Sequence, residues 1–117
     1  TVDYIGNVQG IPVCFDAKET SLKSLPIQNI HAHQMAFMES FRKQQGVAFI
    51  LVYFSHYNES YLIDFETVKD YYDNAAQGGR KSIPYSSMNK RYEIKRAGGY
   101  LLHYLEALSA YMEDREK

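Results

Sequence analysis

Residues 11–18, "IPVCFDAK", read as a β-strand with two unlike faces. Side chains alternate along a strand, so Val13, Phe15 and Ala17 share one face while Cys14, Asp16 and Lys18 share the other. The first face is apolar and predicts a helix packed upon it. The second places an acid and a lysine with their Cα atoms roughly 6.5–7 Å apart. A buried charge without a partner is expensive, so this face is either solvated or holds something. Upstream, residues 2–8, "VDYIGNV", form a second β-rich run, and Gln9-Gly10 between the two predicts a hairpin. Pro12 stands near the start of its run, where a strand tolerates it best. Pairing through that turn brings position 3 near position 16. Asp3 and Asp16 then face each other across neighbouring strands, with Thr1 on the same face as Asp3.

The rest of the chain alternates in type. Residues 19–29 read as a loop. In "IHAHQMAFMESFRKQQG", residues 30–46, Ile30, Gln34, Phe37, Met38 and Phe41 recur at helical spacing, with Asn29 as the expected N-cap and Gly46 as the stop. The continuous apolar run 47–54, "VAFILVYF", predicts a strand covered on both faces. A short strand follows at 61–65, then an amphipathic helix at 66–76 through Val68, Tyr71, Tyr72 and Ala75, ended by Gly78-Gly79. Residues 80–98 are irregular and basic, with a short strand expected at 92–94. The last segment, from Tyr100, predicts a helix with a stripe of Leu101, Leu105, Leu108 and Met112. This order predicts an α/β fold with a mixed central β-sheet flanked by helices.

Composition narrows the function classes. A chain of 117 residues predicts a single domain, and 45% hydrophobic with 23% charged residues is an ordinary globular mixture. Aromatic content leans on 11 tyrosines, which suit faces half buried and half wet. The lone Cys14 excludes an intramolecular disulfide and a cysteine-based zinc cluster, and fits a cytoplasmic setting. There is no membrane-length apolar run, signal-peptide pattern, glycine-rich phosphate loop or nucleophile elbow. The chain opens at Thr1 inside a strand-like run, so residues upstream are expected. Net charge is −1, yet Arg80, Lys81, Lys90, Arg91, Lys95 and Arg96 stand against the single acid Glu93 between positions 80 and 96. Such a window predicts either a phosphate-binding surface or a solvated loop.

Two facing carboxylates repel unless a proton or a cation lies between them. Oxygen ligands of this kind suit Mg²⁺, which needs few protein ligands and keeps several waters. A lysine beside them would stabilise charge developing on a phosphate or orient a water. Each element has a plainer reading. Asp-x-Lys is common on solvated strands, and Gln34, which points inward with the helix stripe, is either a core glutamine satisfied by backbone or a reach into a metal site. His31 and His33, two residues apart, lie on different helix faces, make no helical zinc pair and read as exposed or capping residues.

Asp3, Asp16 and Lys18 form a D-(x)12-D-x-K pattern similar to the catalytic core of restriction-endonuclease-like, metal-dependent nucleases. The words "TVDYIG" at 1–6, "FDAKET" at 15–20, "LPIQNIHAHQ" at 25–34 and "GGRKSIPY" at 78–85 together resemble the RecU family, Holliday junction resolvases of Gram-positive bacteria and some of their phages. The resemblance runs through nearly the whole chain, in order. It implies that Thr1, Asp3, Asp16 and Gln34 ligate Mg²⁺, with Mn²⁺ as a substitute, and that Asp3, Asp16 and Lys18 are catalytic. Asp16 stands where the family often has glutamate. It implies a cytoplasmic homodimer that cuts four-way DNA junctions in recombination and repair, with residues 1–117 as its nuclease domain and the family's N-terminal region upstream. The six cations between 80 and 96 are the expected phosphate contacts. A catalytically silent DNA-binding or scaffold module on the same fold, or a duplex-cutting nuclease of the same superfamily, are the alternatives.

Overall fold

Gln9 and Gly10 decide the first turn, because both take positive φ values, 52° and 85°. Two left-handed residues in a row are what a tight hairpin with right-handed strand twist requires. The Asn7 side chain accepts the Gly10 N–H at 2.8 Å and closes the turn. The computed structural model describes residues 2–95 and 100–116, the side chains of 100–105 excepted. In it β1 (Tyr4–Val8) pairs antiparallel with β2 (Ile11–Thr20), Tyr4 opposite Phe15.

The chain leaves β2, crosses through α1 (Ala32–Lys43), and returns as β4 (Val47–Phe54) parallel to β2. That crossover is the usual way to join parallel neighbours. β5 (Glu59–Asp64) folds back antiparallel on β4 and runs directly into α2 (Phe65–Ala76). Asp64 caps that helix by accepting the Thr67 N–H and hydroxyl at 3.3 and 2.7 Å. The two-residue strand β7 (Glu93–Ile94) completes a five-stranded sheet in the order β1-β2-β4-β5-β7, and α3 spans Tyr100–Arg115. This is the α/β, mixed-sheet architecture of a restriction-endonuclease-like core.

The alternation read from residues 11–18 sorts the two cores. Val13 and Phe15 join Val47, Phe49 and Leu51 under Ala107 and Leu108 of α3. Phe15 stacks between Tyr4 and Phe49, with ring centroids 4.9 and 5.2 Å away. Cys14 lies on the opposite face, with Ala48, Ile50 and Val52, beneath Met35 and Met38 of α1 and Phe65 and Val68 of α2. Each such fully buried large side chain is worth about 1.5–3 kcal/mol against exposure. Leu101 and Leu105 of the expected stripe lie outside the described side chains.

Several boundaries differ from the sequence reading. The expected loop at 19–29 contains the end of β2, a strand β3 (Ser24–Pro26) and a 3-10 turn at Ile27–Asn29. β3 pairs with β6 (Ser82–Pro84), in a sheet of its own. Such a pairing rests on residues far apart in sequence and leaves no local periodicity. The 3-10 turn consumes Asn29, since Ile30 N–H donates to Ile27 at 2.9 Å, so His31 rather than Asn29 is the N-cap of α1. Among the described residues no helix is long and apolar enough to cross a membrane.

Candidate active site

The hairpin register continues one step past the end of β1 and sets Asp3 against Asp16. The Asp3 N–H donates to Asp16 Oδ1 at 3.0 Å, and the Ala17 N–H donates to Asp3 Oδ2 at 2.8 Å. Each carboxylate therefore accepts a backbone donor from the other's strand. Asp3 is exposed, whereas Asp16 retains only 2% of its surface. A carboxylate so buried needs a counter-charge. Lys18, two residues along the same face, supplies it with Nζ 2.9 Å from Asp16 Oδ2.

The same ammonium donates to Gln34 Oε1 at 3.0 Å. Gln34 is buried on the first turn of α1, and its Oε1 also accepts the His31 N–H at 3.1 Å. That second bond satisfies one of the orphan donors at the helix start. One oxygen thus ties the helix cap to the strand lysine. The inward-pointing glutamine of the sequence reading meets Lys18 from across the core, 16 residues away in the chain. Thr1 lies outside the described residues.

The donor chemistry fits a hard cation. Two carboxylates and an amide oxygen offer oxygen atoms only, and among the described residues no three His, Cys, Asp or Glu side chains gather as a metal cluster. Few protein ligands, all oxygen, suit a hard divalent cation with several retained waters and do not suit a structural zinc.

Comparison with known proteins is decisive on kinship. The family model described as "Recombination protein U" matches residues 1–110. The chain belongs to the RecU family. It is similar to the Holliday junction resolvase RecU of Oceanobacillus iheyensis, 38% identical over 95 residues, which is 80% of this chain and 48% of that protein. The RecU of Pediococcus pentosaceus is 34% identical over 116 residues, 97% of this chain and 58% of its own length. That of Shouchella clausii is 42% identical over 99 residues, 84% and 44% of the two chains. The chain spans about half the length of the curated RecU relatives it matches.

The basic stretch of this chain is built differently from the count of charges along it. Lys90 donates to Glu59 at 2.7 Å, to the Tyr61 hydroxyl at 2.5 Å and to the Tyr85 hydroxyl at 3.1 Å. Those donors, Lys90 first and the two tyrosines after it, pull the Glu59 carboxyl down to about 2. Burial, with Glu59 beside it, pushes the Tyr61 hydroxyl up. Arg91 bonds Asp114 and Glu113, each at 3.0 Å, and Lys95 pairs with Glu93 at 2.9 Å. Arg80 and Lys81 differ. Arg80 Nε donates to the Ser82 hydroxyl at 3.3 Å, and Lys81 Nζ donates to the Ala75 carbonyl at the end of α2. Arg96 lies outside the described residues. The acids that neutralise Lys90 and Arg91 come from β5 and α3, so a window-based charge count cannot see them.

One further feature bears out the sequence reading and one escaped it. His31 caps α1, and its signal was present: a glutamine three residues later is the capping-box spacing. The His31 and His33 rings, both exposed, stand nearly parallel at 5.7 Å. The Glu59–Tyr61–Tyr85–Lys90 cluster had no local signal, because its members are spread over three elements.

Proposed function

We propose that this chain carries the catalytic centre of a metal-dependent, structure-selective DNA endonuclease that resolves four-way junctions. The observation that supports it most is the connected set Asp3–Asp16–Lys18–Gln34, in a chain whose curated relatives are named Holliday junction resolvases. Asp3 and Asp16, with Thr1 as a further oxygen donor and Gln34 Oε1 on exchange of one of its two hydrogen bonds, would hold Mg²⁺ or Mn²⁺, which when bound stabilises negative charge on the attacking and leaving oxygens. Asp16 and Gln34 fix the Lys18 ammonium from two sides, at 2.9 and 3.0 Å. An ammonium has three donors, so one remains for a phosphate oxygen. Because Lys18 is held before substrate arrives, little reorganisation is needed as charge develops on that oxygen. The intact acids and lysine favour an enzyme over a silent scaffold.

A four-way junction must be cut in two strands symmetrically. A two-fold homodimer presenting two such centres matches that demand. The cytoplasm, where recombining DNA and reduced thiols coexist in bacteria, is the setting that fits this reading. The test is incubation of labelled four-way junctions and sequence-matched duplex with the protein, with and without Mg²⁺ or Mn²⁺. Paired nicks in the junction only when the cation is added are expected. Equal cutting of duplex would remove the structure selectivity, and cutting that persists in chelator would remove the metal.

A further inference from the structure

A cavity of about 700 Å³ opens beside the catalytic cluster, between the start of α1 and the end of α2. Its floor is apolar, with Ile27, Ile30 and Ala75 all buried. Tyr72 lines it, half-buried, and His31 and Lys81 bring polar groups to it. The volume falls within the roughly 300–1,000 Å³ of small-molecule sites.

Lys81 is fixed at this cavity by backbone on both sides. Its carbonyl accepts the Ile27 N–H at 2.9 Å, and its ammonium donates to the Ala75 carbonyl. No carboxylate neutralises it among the described residues, in contrast to Lys90, Arg91 and Lys95. The basic stretch thus keeps an uncompensated cation here, over an apolar floor. The cavity is also close to the chemistry. His31 lines it, and the His31 N–H and Lys18 Nζ meet on one oxygen of Gln34, at 3.1 and 3.0 Å. One lining residue of the cavity therefore lies two hydrogen bonds from the lysine.

We propose that this cavity receives one unstacked nucleotide of the branched DNA, its base on the apolar floor against Tyr72 and its phosphate at Lys81. The inference rests on the nuclease reading and adds to it a source of selectivity. A base enters such a site only after leaving the stack, and that costs least where stacking or pairing is already interrupted. A crossover supplies such a base, while a continuous duplex must be opened for it. Gln28, at the same cavity, offers an amide to the base edge.

The experiment titrates the protein with dAMP, followed by NMR. Wild type is expected to bind, with shifts centred on Tyr72 and Ala75. Ala76→Phe puts a ring into the cavity from the exposed side of α2, and Tyr72→Leu removes the stacking face while keeping an apolar helix residue. Each is expected to weaken dAMP about tenfold, the scale of one base stack. A native thermal transition in either variant is enough to read the result. No binding by wild type, or unchanged affinity in the folded variants, overturns the cavity proposal whatever happens to cleavage. A second arm measures junction and duplex cutting by the same proteins. Loss of junction preference in the variants supports the proposal, and preference kept intact overturns it. If wild type binds dAMP at the cavity but cuts no junction, the nuclease reading fails and the nucleotide site stands.

Discussion

Replacing Arg91 and Lys95 with glutamine is expected to leave the salt dependence of junction binding where it was, whereas Arg80→Gln with Lys81→Gln should flatten it. Counterion release sets the scale: each phosphate neutralised contributes about 0.9 to the slope of log affinity against log salt. Arg91 faces two carboxylates, Asp114 and Glu113, and Lys95 faces Glu93. A cation that already answers a carboxylate neutralises no phosphate while the pair stays closed, so its removal predicts a slope change near zero. Arg80 and Lys81 contact a hydroxyl and a carbonyl, so both keep their charge. Their joint removal predicts a change of about 1.8, if each meets one phosphate. Between roughly 50 and 200 mM salt that makes the double variant's loss of affinity about 12-fold smaller than that of wild type. The assay is equilibrium binding of a labelled four-way junction in chelator, at four or more salt concentrations. Exposed ion pairs are worth only about 0–1 kcal/mol, so DNA is able to compete for them and the outcome is a real contest. A slope change of about 0.9 for Arg91→Gln alone would show that the pair opens to phosphate and that the charge bookkeeping here is wrong.

Asp16→Asn should abolish junction cleavage and keep junction binding; cleavage near the wild-type rate would remove Asp16 from the centre. Gln34→Leu loses a cap acceptor and a bond to a charged donor, and is expected to cost about 2–4 kcal/mol in urea unfolding, while Gln34→Glu, which keeps an acceptor oxygen, recovers most of it. An unchanged midpoint in the leucine variant would mean that Gln34 holds neither partner in solution. For Glu59, Lys90 and the two tyrosines lower the carboxyl from 4.5 to about 2, so the native state binds fewer protons than the unfolded chain across that window. Stability therefore falls as pH drops through it, and the fall should be shallower in Glu59→Gln; superimposable acid-unfolding curves for the two proteins contradict the cluster.

What was legible in the sequence was legible for local reasons. Strand alternation and a Gln9-Gly10 turn are short-range facts, and together they determine that positions 3 and 16 meet. Helical periodicity likewise turned Gln34 inward, although nothing in its own helix says that Lys18 waits there. What was not legible depended on partners far away in the chain. β3 finds β6 more than fifty residues on, Lys90 finds Glu59 31 residues back, and Arg91 finds Asp114 23 residues ahead. A charge count over a window treats those cations as free because the acids arrive only with the fold. The N-cap was misplaced for a related reason. Asn29 has the right chemistry for a cap, but the 3-10 turn from Ile27 uses it first.

The two acids of the centre are not equivalent, and the difference follows from where the strands end. Asp16 sits in the interior of β2, paired with Ile50 of β4, and is tied to Lys18. Asp3 lies outside β1, exposed, with its position defined by the exchange of backbone bonds with Asp16 and Ala17. Ordering therefore runs from the sheet to Asp16 and from Asp16 to Asp3. On the other side the Lys18 ammonium is held by the oxygen that also caps α1, so the start of that helix and the lysine share one hydrogen-bond network. The groups proposed as reactive thus draw their placement from a strand interior and a helix cap, the two most regular features available. That is how a site with one exposed acid still presents a lysine whose position is determined before any substrate binds.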